Sequence, residues 1–503
     1  MRSLPAETRS RYFSQWIVFD ILERARADLK ATGSDAAARA LLNIALFSLV
    51  GKPLSWRRER DGRFPVPGTT PLSALKWGAW LVRTQDWRSH RFWEASSKKR
   101  PVLFGIWAAN HIDTLAPVMR HLRDSAGVDA RFLAMQPGWR KPLEKTGLPF
   151  REIGHPSSRG ERAAAMSSYL GRVRGVRPLV SELIAPLGLA LGLGKHHVAG
   201  RLGDTLTACA ALASAQQAIA AEVLDELRPE CMVIANQEMI PGRMLVELCA
   251  KRSIPVVNVQ HGIITPHPKF AWPRSLSWCL WGTASRDVLT ALGWNPDDLV
   301  VCGHIHNDAA SPRPAAAASS DGRVRRALFV PDSLDGVISK HELRAAISIA
   351  CTGVSRDREI ELTILVEPDA DETATELAGV YDGARIQTKD CAELRQRMLD
   401  SDVVITMWSA TAVEALLLER PLIVVEPAPR RHNSHPVAQH GAALVATNAH
   451  ALSEWITSLA DARVRESLRS GGALVRNELA GEPDGKAVQR IAETILGRAT
   501  DRR

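Results

Sequence analysis

Two series of short apolar, β-branched runs, one on each side of a proline- and alanine-rich stretch, limit what this chain can fold into. The first series is "VLFGIW" at 102, "ARFLAM" at 130, "CMVIAN" at 231, "PVVNVQ" at 255 and "SWCLWG" at 277. The second is "RALFV" at 326, "LTILVE" at 362, "DVVITM" at 402, "LIVVE" at 422 and "ALVAT" at 443. Runs without polar alternation suit strands covered on both faces, as in parallel sheets. Helix-periodic segments lie between them, such as 242–252, where Met244, Leu245, Leu248 and Cys249 share a face. Strand–helix alternation implies a doubly wound parallel α/β sheet, here twice over. The dividing stretch, "DAASPRPAAAASSDGR", has no apolar period and reads as a linker. At 503 residues the chain exceeds one ordinary core. The expected boundaries are an extension over 1–98, a Rossmann-like domain over 99–310, a linker over 311–323, a second Rossmann-like domain over 324–480 and a C-terminal helix or tail over 481–503. Ligands of open α/β sheets bind beyond the carboxyl ends of the strands, so a cleft between the two domains is the expected site.

Charge is unevenly placed. The formal net charge is +9, yet residues 1–100 alone hold 19 Lys/Arg against 9 Asp/Glu, together with six of the 14 tryptophans. On a helix from Ser73, Trp77, Trp80, Leu81 and Trp87 share one face, with Arg83, Arg88 and Arg91 close by. Such a mainly helical extension either packs its tryptophans on the main body or rests on an anionic membrane surface. Nucleic acid is not expected as a partner, because no binding motif accompanies the charge. No run approaches the length of a spanning helix, and "MRSLPAETRS" lacks the layout of a secretory signal, so the protein reads as cytoplasmic, at most peripheral on the inner face of the membrane. Seven cysteines stand singly without a CxxC pair, which fits reduced buried thiols rather than a disulfide framework or a metal site.

Candidate chemistry gathers at strand ends. In "SDVVITMWSATAVEALLLERPLIVVEP", a buried strand runs into a hydroxyl-bearing turn, Ser409 to Thr411, and then a helix carrying Glu414. Free N–H groups and hydroxyls at such a turn suit a phosphate, and the carboxylate suits ribose hydroxyls; plain helix capping would use the same residues. "VVNVQHGI" ends a buried strand in Gln260, His261 and Gly262, where glycine admits a ligand and an imidazole handles a proton or a phosphate near neutrality. His111 and Asp113 follow the strand at 102, and Glu238 follows the strand at 231. His261, Glu238 and Asp113 are candidate general bases. "RRHNSHP" places Arg430, Arg431 and His432 near the rim of the Ser409 turn, within reach of an anion. Neither a Walker loop, nor a GxGxxG after a strand, nor a GxSxG elbow occurs, which removes support for kinases, nicotinamide enzymes and elbow hydrolases.

Residues 401–427 resemble the donor-binding half of GT-B glycosyltransferases, in which "DVVIT", a Ser/Thr turn, "EA" and a "PLIV" strand follow in this order. "ECMVIANQEMIPGRMLVELCAKRSIPVVNVQHGI" with "LVVCGHIHND" is similar to the acceptor domain of bacterial surface- or capsular-polysaccharide and CDP-glycerol-type transferases. The resemblance implies a nucleotide-activated sugar or glycerophosphate-like donor, a glycan or lipid-linked glycan acceptor, inverting transfer, and no cofactor or catalytic metal. Carried over, Ser409 and Thr411 contact donor phosphate, Glu414 the ribose, and His261, with Gly262 admitting a ligand, sits at the cleft wall; from their strand-end positions Arg431 is expected at the donor, and His111, Gln260 and Gly262 at the acceptor. The pattern departs where CMP-sugar enzymes often carry His-Pro: here Glu367-Pro368 stands at the donor site. The usual Gly-Asn-Pro is Gly303-His304-Ile305, followed by His306 and Asp308. A non-hydrolysing UDP-sugar 2-epimerase and a catalytically silent glycan-binding subunit are the alternatives such a scaffold allows.

Overall fold

The computed structural model describes residues 89–91, 100–135, 139–153, 217, 220–266, 268–271, 276–308, 322–331, 340–355, 357, 359–366, 384–388, 391–407, 409–427, 436–439 and 441–500. Nearly all of the basic, Trp-rich extension, and with it the membrane expectation, lies outside these residues. Among those described, no helix is long and apolar enough to cross a membrane.

The first sheet contains β1 (Ser89–Arg91), β2 (Val102–Ile106), β3 (Ala130–Ala134), β4 (Phe150–Ile153), β5 (Cys231–Ile234), β6 (Val256–Val259), β7 (Ser277–Leu280) and β8 (Leu299–Val301), in the order β1-β4-β3-β2-β5-β6-β7-β8. Every pairing is parallel except β1 against β4. The second sheet contains β9 (Arg326–Val330), β10 (Glu361–Val366), β11 (Ala384–Thr388), β12 (Val403–Thr406), β13 (Leu422–Val425) and β14 (Leu444–Ala446), in the order β11-β10-β9-β12-β13-β14, all parallel. In both sheets the first parallel strand lies at the centre and later strands build outward to either side. The order reverses between β2 and β5 in one and between β9 and β12 in the other, and such switch points open a crevice at the carboxyl edge.

The strands are covered on both faces, as their unbroken apolar sequence requires. On one face of the first sheet, Leu103, Leu133, Met232 and Ile234 pack against α3 (Ile240–Lys251). On the other, Phe104, Phe132, Val233 and Val257 pack on α1 (Ala109–Ala126), which ends where Gly127 takes a left-handed φ of 60° and donates its N–H to the Leu122 carbonyl. A second helix covers that face from far along the chain. It is α12 (Ala487–Thr500), whose Ile491 and Ile495 are buried in the first-sheet core. The C-terminal segment expected as a helix or tail therefore completes the first domain's core, each fully buried isoleucine contributing about 1.5–3 kcal/mol.

Further helices among the described residues are α2 (Arg140–Thr146), α4 (Thr283–Ala291), α5 (Ile305–Asp308), α6 (Lys340–Val354), α7 (Cys391–Asp400), α8 (Thr411–Leu417), α9 (Pro436–Gln439), α10 (Ala449–Ser458) and α11 (Ala462–Ala480). The end of α11 locks the halves together. The Ala480 carbonyl accepts the His304 N–H at 2.7 Å, and a Cβ on Gly282 would lie 2.0 Å from the Glu478 carbonyl oxygen.

Candidate functional site

The first wall of the cleft is built on the ends of β2, β5 and β6. One turn into α1, His111 is 1% exposed, and its Nδ1 accepts the Trp107 N–H at 3.4 Å. That bond places the proton of the neutral ring on Nε2. The Trp107 indole stands edge-on, with ring centroids 4.8 Å apart, and the His261 ring lies 5.4 Å away at 72°. Burial, and then the charge of His261, hold the His111 pKa well below the ordinary imidazole value. His111 is therefore neutral at pH 7, and the half-buried His261 lies beside it.

Gln260 is 2% exposed and fully engaged. Its Oε1 accepts the Trp281 N–H at 2.8 Å, its Nε2 donates to the Gly262 carbonyl at 2.9 Å, and its own carbonyl accepts the Trp281 indole N–H at 2.8 Å. The side chain expected to meet an acceptor thus braces the turn that presents His261. A Cβ at Gly262 would meet nothing within 4 Å, so the chain borders open space there.

Glu238 and Asp113 have other surroundings. The Glu238 carboxylate is largely buried, with the Lys269 ammonium 3.8 Å away. Arg243, fully buried beneath, donates from Nε to the Glu238 carbonyl at 3.3 Å and from Nη2 to the Lys269 carbonyl at 3.1 Å. Burial pulls the Arg243 guanidinium down to about 9, against the pull of Glu238 and Glu247, so it stays charged at neutral pH. Asp113 is exposed on α1, two residues from His111. Residues two apart on a helix point apart, so these two do not share the cleft wall.

The second wall is the β12–α8 turn. Thr411 is buried, its N–H donates to the Ser409 hydroxyl at 3.2 Å, and the two hydroxyl oxygens lie 3.1 Å apart. Glu414, one turn on, meets the opposite domain: His306 Nδ1 of α5 lies 3.9 Å from its Oε1. Arg395 of α7 donates to the His306 carbonyl at 3.4 Å. His304 is buried against the Trp281 ring at 4.2 Å, and its Nδ1 accepts the His306 N–H at 3.1 Å. Burial, then His306 and Arg395, keep the His304 imidazole well below its usual range, hence neutral. The two walls share one apolar cluster: Ile263 and Ala410 both pack on Trp281, Val413, Leu417 and Ala480. Ile263 lies two residues beyond His261, and Ala410 lies between Ser409 and Thr411.

The structure therefore brings His111, His261, Gln260 and Gly262 to one wall and Ser409, Thr411 and Glu414 to the other. Glu367 and Arg431, with their expected donor contacts, lie outside the described residues, as do Arg430, His432 and His435. Sequence reading did not foresee Trp281, Lys269 and Arg395. Trp281 ends a run already recognisable as a strand, so a bulky donor at a strand's carboxyl end was an available signal; Lys269 and Arg395 carried none.

No protein-family model and no curated protein sequence matches the chain. Solved structures do match. A putative UDP-N-acetylglucosamine 2-epimerase from Listeria monocytogenes superposes with a TM-score of 0.53 at 14% identity, over 80% of this chain and 98% of that one. The UDP-GlcNAc 2-epimerase of Neisseria meningitidis bound to UDP-GlcNAc gives 0.50 at 13% identity, over 79% and 99%. The S. aureus MnaA–UDP co-structure gives 0.51 at 12% identity, over 79% and 96%. At these identities the likeness establishes the fold, and it is the α/β GT-B architecture: two facing Rossmann-like domains, each on a parallel sheet.

Proposed function

We propose that this chain is a glycosyltransferase that moves a sugar, or a glycerophosphate-like unit, from a nucleotide-activated donor to a surface-polysaccharide acceptor. The observation that carries the reading is the shared packing of Ile263 and Ala410, which sets the Gln260–His261–Gly262 turn against the Ser409–Thr411 turn. In this reading Ser409 and Thr411 hold donor phosphate and Glu414 the ribose. His261 takes the proton of the acceptor hydroxyl as the new bond forms at the sugar carbon, while the bond to the donor phosphate breaks and its electron pair leaves with the nucleotide. Glu238 suits this task less well, because its carboxylate is largely buried with the Lys269 ammonium 3.8 Å away. A second reading, a UDP-sugar 2-epimerase, is favoured by the epimerases of the same fold, one of them bound to UDP-GlcNAc. Transfer is preferred because the described groups at the meeting of the walls are imidazoles on one side and hydroxyls on the other, the layout of separate acceptor and donor walls.

Thermal shifts with CMP, CDP, UDP, GDP and dTDP identify the nucleotide. Ser409→Ala with Thr411→Val should lose that stabilisation. His261→Ala should keep it while transfer falls roughly 10²–10⁴-fold, the usual scale for removing a general base. Transfer by His261→Ala at the parental rate would remove the base assignment, and isomer formation from a UDP-sugar without acceptor would replace transfer by epimerisation.

A further inference from the structure

A cavity of about 270 Å³ lies in the second domain, away from the cleft. Its walls include Val324, Asp402, Pro421 and Ala442, which precede β9, β12, β13 and β14, so it opens at the amino edge of a sheet whose carboxyl edge faces the proposed donor. Helix α8 connects the two places, with Thr411 at the cleft and Leu416 lining the cavity. The α8–β13 turn then places Glu419 and Arg420 there, with Glu419 at a left-handed φ of 54°, uncommon for a residue with a side chain.

The lining is rich in guanidinium. Arg323, Arg420, Arg465, Arg469 and Arg476 contribute five positive charges, against Asp402, Glu419 and Glu466. Two of the carboxylates are paired, Glu419 with Arg476 at 3.0 Å and Glu466 with Arg469 at 2.7 Å. Both Asp402 oxygens face backbone or Arg326: the Arg325 and Arg326 N–H groups donate to Oδ2 at 2.8 Å, and Arg326 lies 3.8 Å from Oδ1. Arg420 is 6% exposed; Nη1 donates to the Ser401 carbonyl at 3.3 Å, and Nε has no hydrogen-bond partner among the described residues. The Arg476 Nε is likewise buried and without a partner among them. Burial, only partly offset by Asp402, lowers the Arg420 pKa, the mark of a cation short of solvation.

We propose that this cavity is a second ligand site, which binds a small phosphate-bearing molecule through Arg420, Arg476 and Arg323. The lining's excess of two positive charges matches the charge of about −1.5 to −2 on a phosphate monoester at neutral pH. Guanidinium N–H forks suit phosphate oxygens. The volume falls just below that of ordinary small-molecule pockets, roughly 300–1,000 Å³, and the apolar walls, Val324, Leu416, Leu459 and Leu468, leave room for a carbon skeleton beside the anion. This site does not depend on the donor reading.

The test is calorimetric and thermal titration of the full chain with orthophosphate and with glucose 6-phosphate, against sodium chloride at equal ionic strength. Saturable stabilisation by either phosphate, absent with chloride, is expected. Tighter binding of the ester assigns an esterified ligand, and equal binding assigns free phosphate. Arg420→Gln should weaken binding at least tenfold. Arg323→Glu, at an exposed position, should do the same while removing the excess charge, and neither should change nucleotide stabilisation. Ser409→Ala should leave phosphate binding intact. The proposal is overturned if chloride stabilises equally, if neither arginine variant alters phosphate binding, or if Ser409→Ala abolishes it, since the phosphate would then sit in the donor turn.

Discussion

His111 and His304 tie the stability of the cleft to pH. Both are buried, and both are held neutral by burial first and a neighbouring imidazole second. In the unfolded chain each takes up a proton near the ordinary imidazole pKa; in the folded protein each does so only at lower pH. The unfolded state therefore binds more protons across that window, so their contribution is fully present above pH ~6.5 and is lost as pH falls toward the folded pKa values. The melting temperature should drop between pH 7.5 and 5, and His111→Gln should make that drop shallower. An unchanged slope in His111→Gln would show that His111 is not the titrating group. Little of this was visible in sequence: Asp113 reads there as a candidate base and His111, two positions away, as an acceptor contact, and only the fold shows that His111 is buried and Asp113 exposed.

At the scale of elements, the β5–α3 turn shows how tightly the first wall is held. Asn236 Oδ1 accepts the N–H groups of Glu238 and Met239 at 2.9 and 3.0 Å, folding the chain back before Pro241 starts the helix. Gly242 then passes so close that a Cβ would lie 1.9 Å from the Asn236 carbonyl oxygen and 2.9 Å from the Trp107 ring. Gly242→Ala should destabilise the protein by about 3 kcal/mol, read from urea unfolding, because the atom in the way is backbone. A loss below about 1 kcal/mol would mean the turn can relax. The helix itself was legible, expected over 242–252 and found as Ile240–Lys251. The central strands were legible too, since their apolar runs need no partner to be recognised. The edge strands β1 and β11 were not: "SHR" and "ARIQT" are half polar, as an edge with one solvated side allows.

For the whole molecule, the return of α12 to the first sheet makes the N-terminal domain depend on the chain's last helix. Deleting residues 487–503 strips the cover from Phe104, Val233 and Val257 while leaving the second sheet whole. Limited proteolysis of the truncated chain should cut rapidly within 100–308 and spare 324–480. Equal protection of both halves would show that α12 contributes little. Two domains linked this way share the restraint of α11 at Gly282 and His304, which keeps the carboxyl edges facing each other.

Read as a sequence, the chain already carried its α/β class, its two sheets and the strand-end turns at His261 and Ser409, because these depend on neighbouring residues and their periodicity. The strand order and the returning helix decided the rest: that His261 lies beside His111, that Gln260 braces a turn, that Glu414 faces His306, and that arginines far apart in the chain line one cavity. The His111–His261 and His306–Glu414 contacts join positions more than a hundred residues apart, and no local pattern specifies which strand ends will meet.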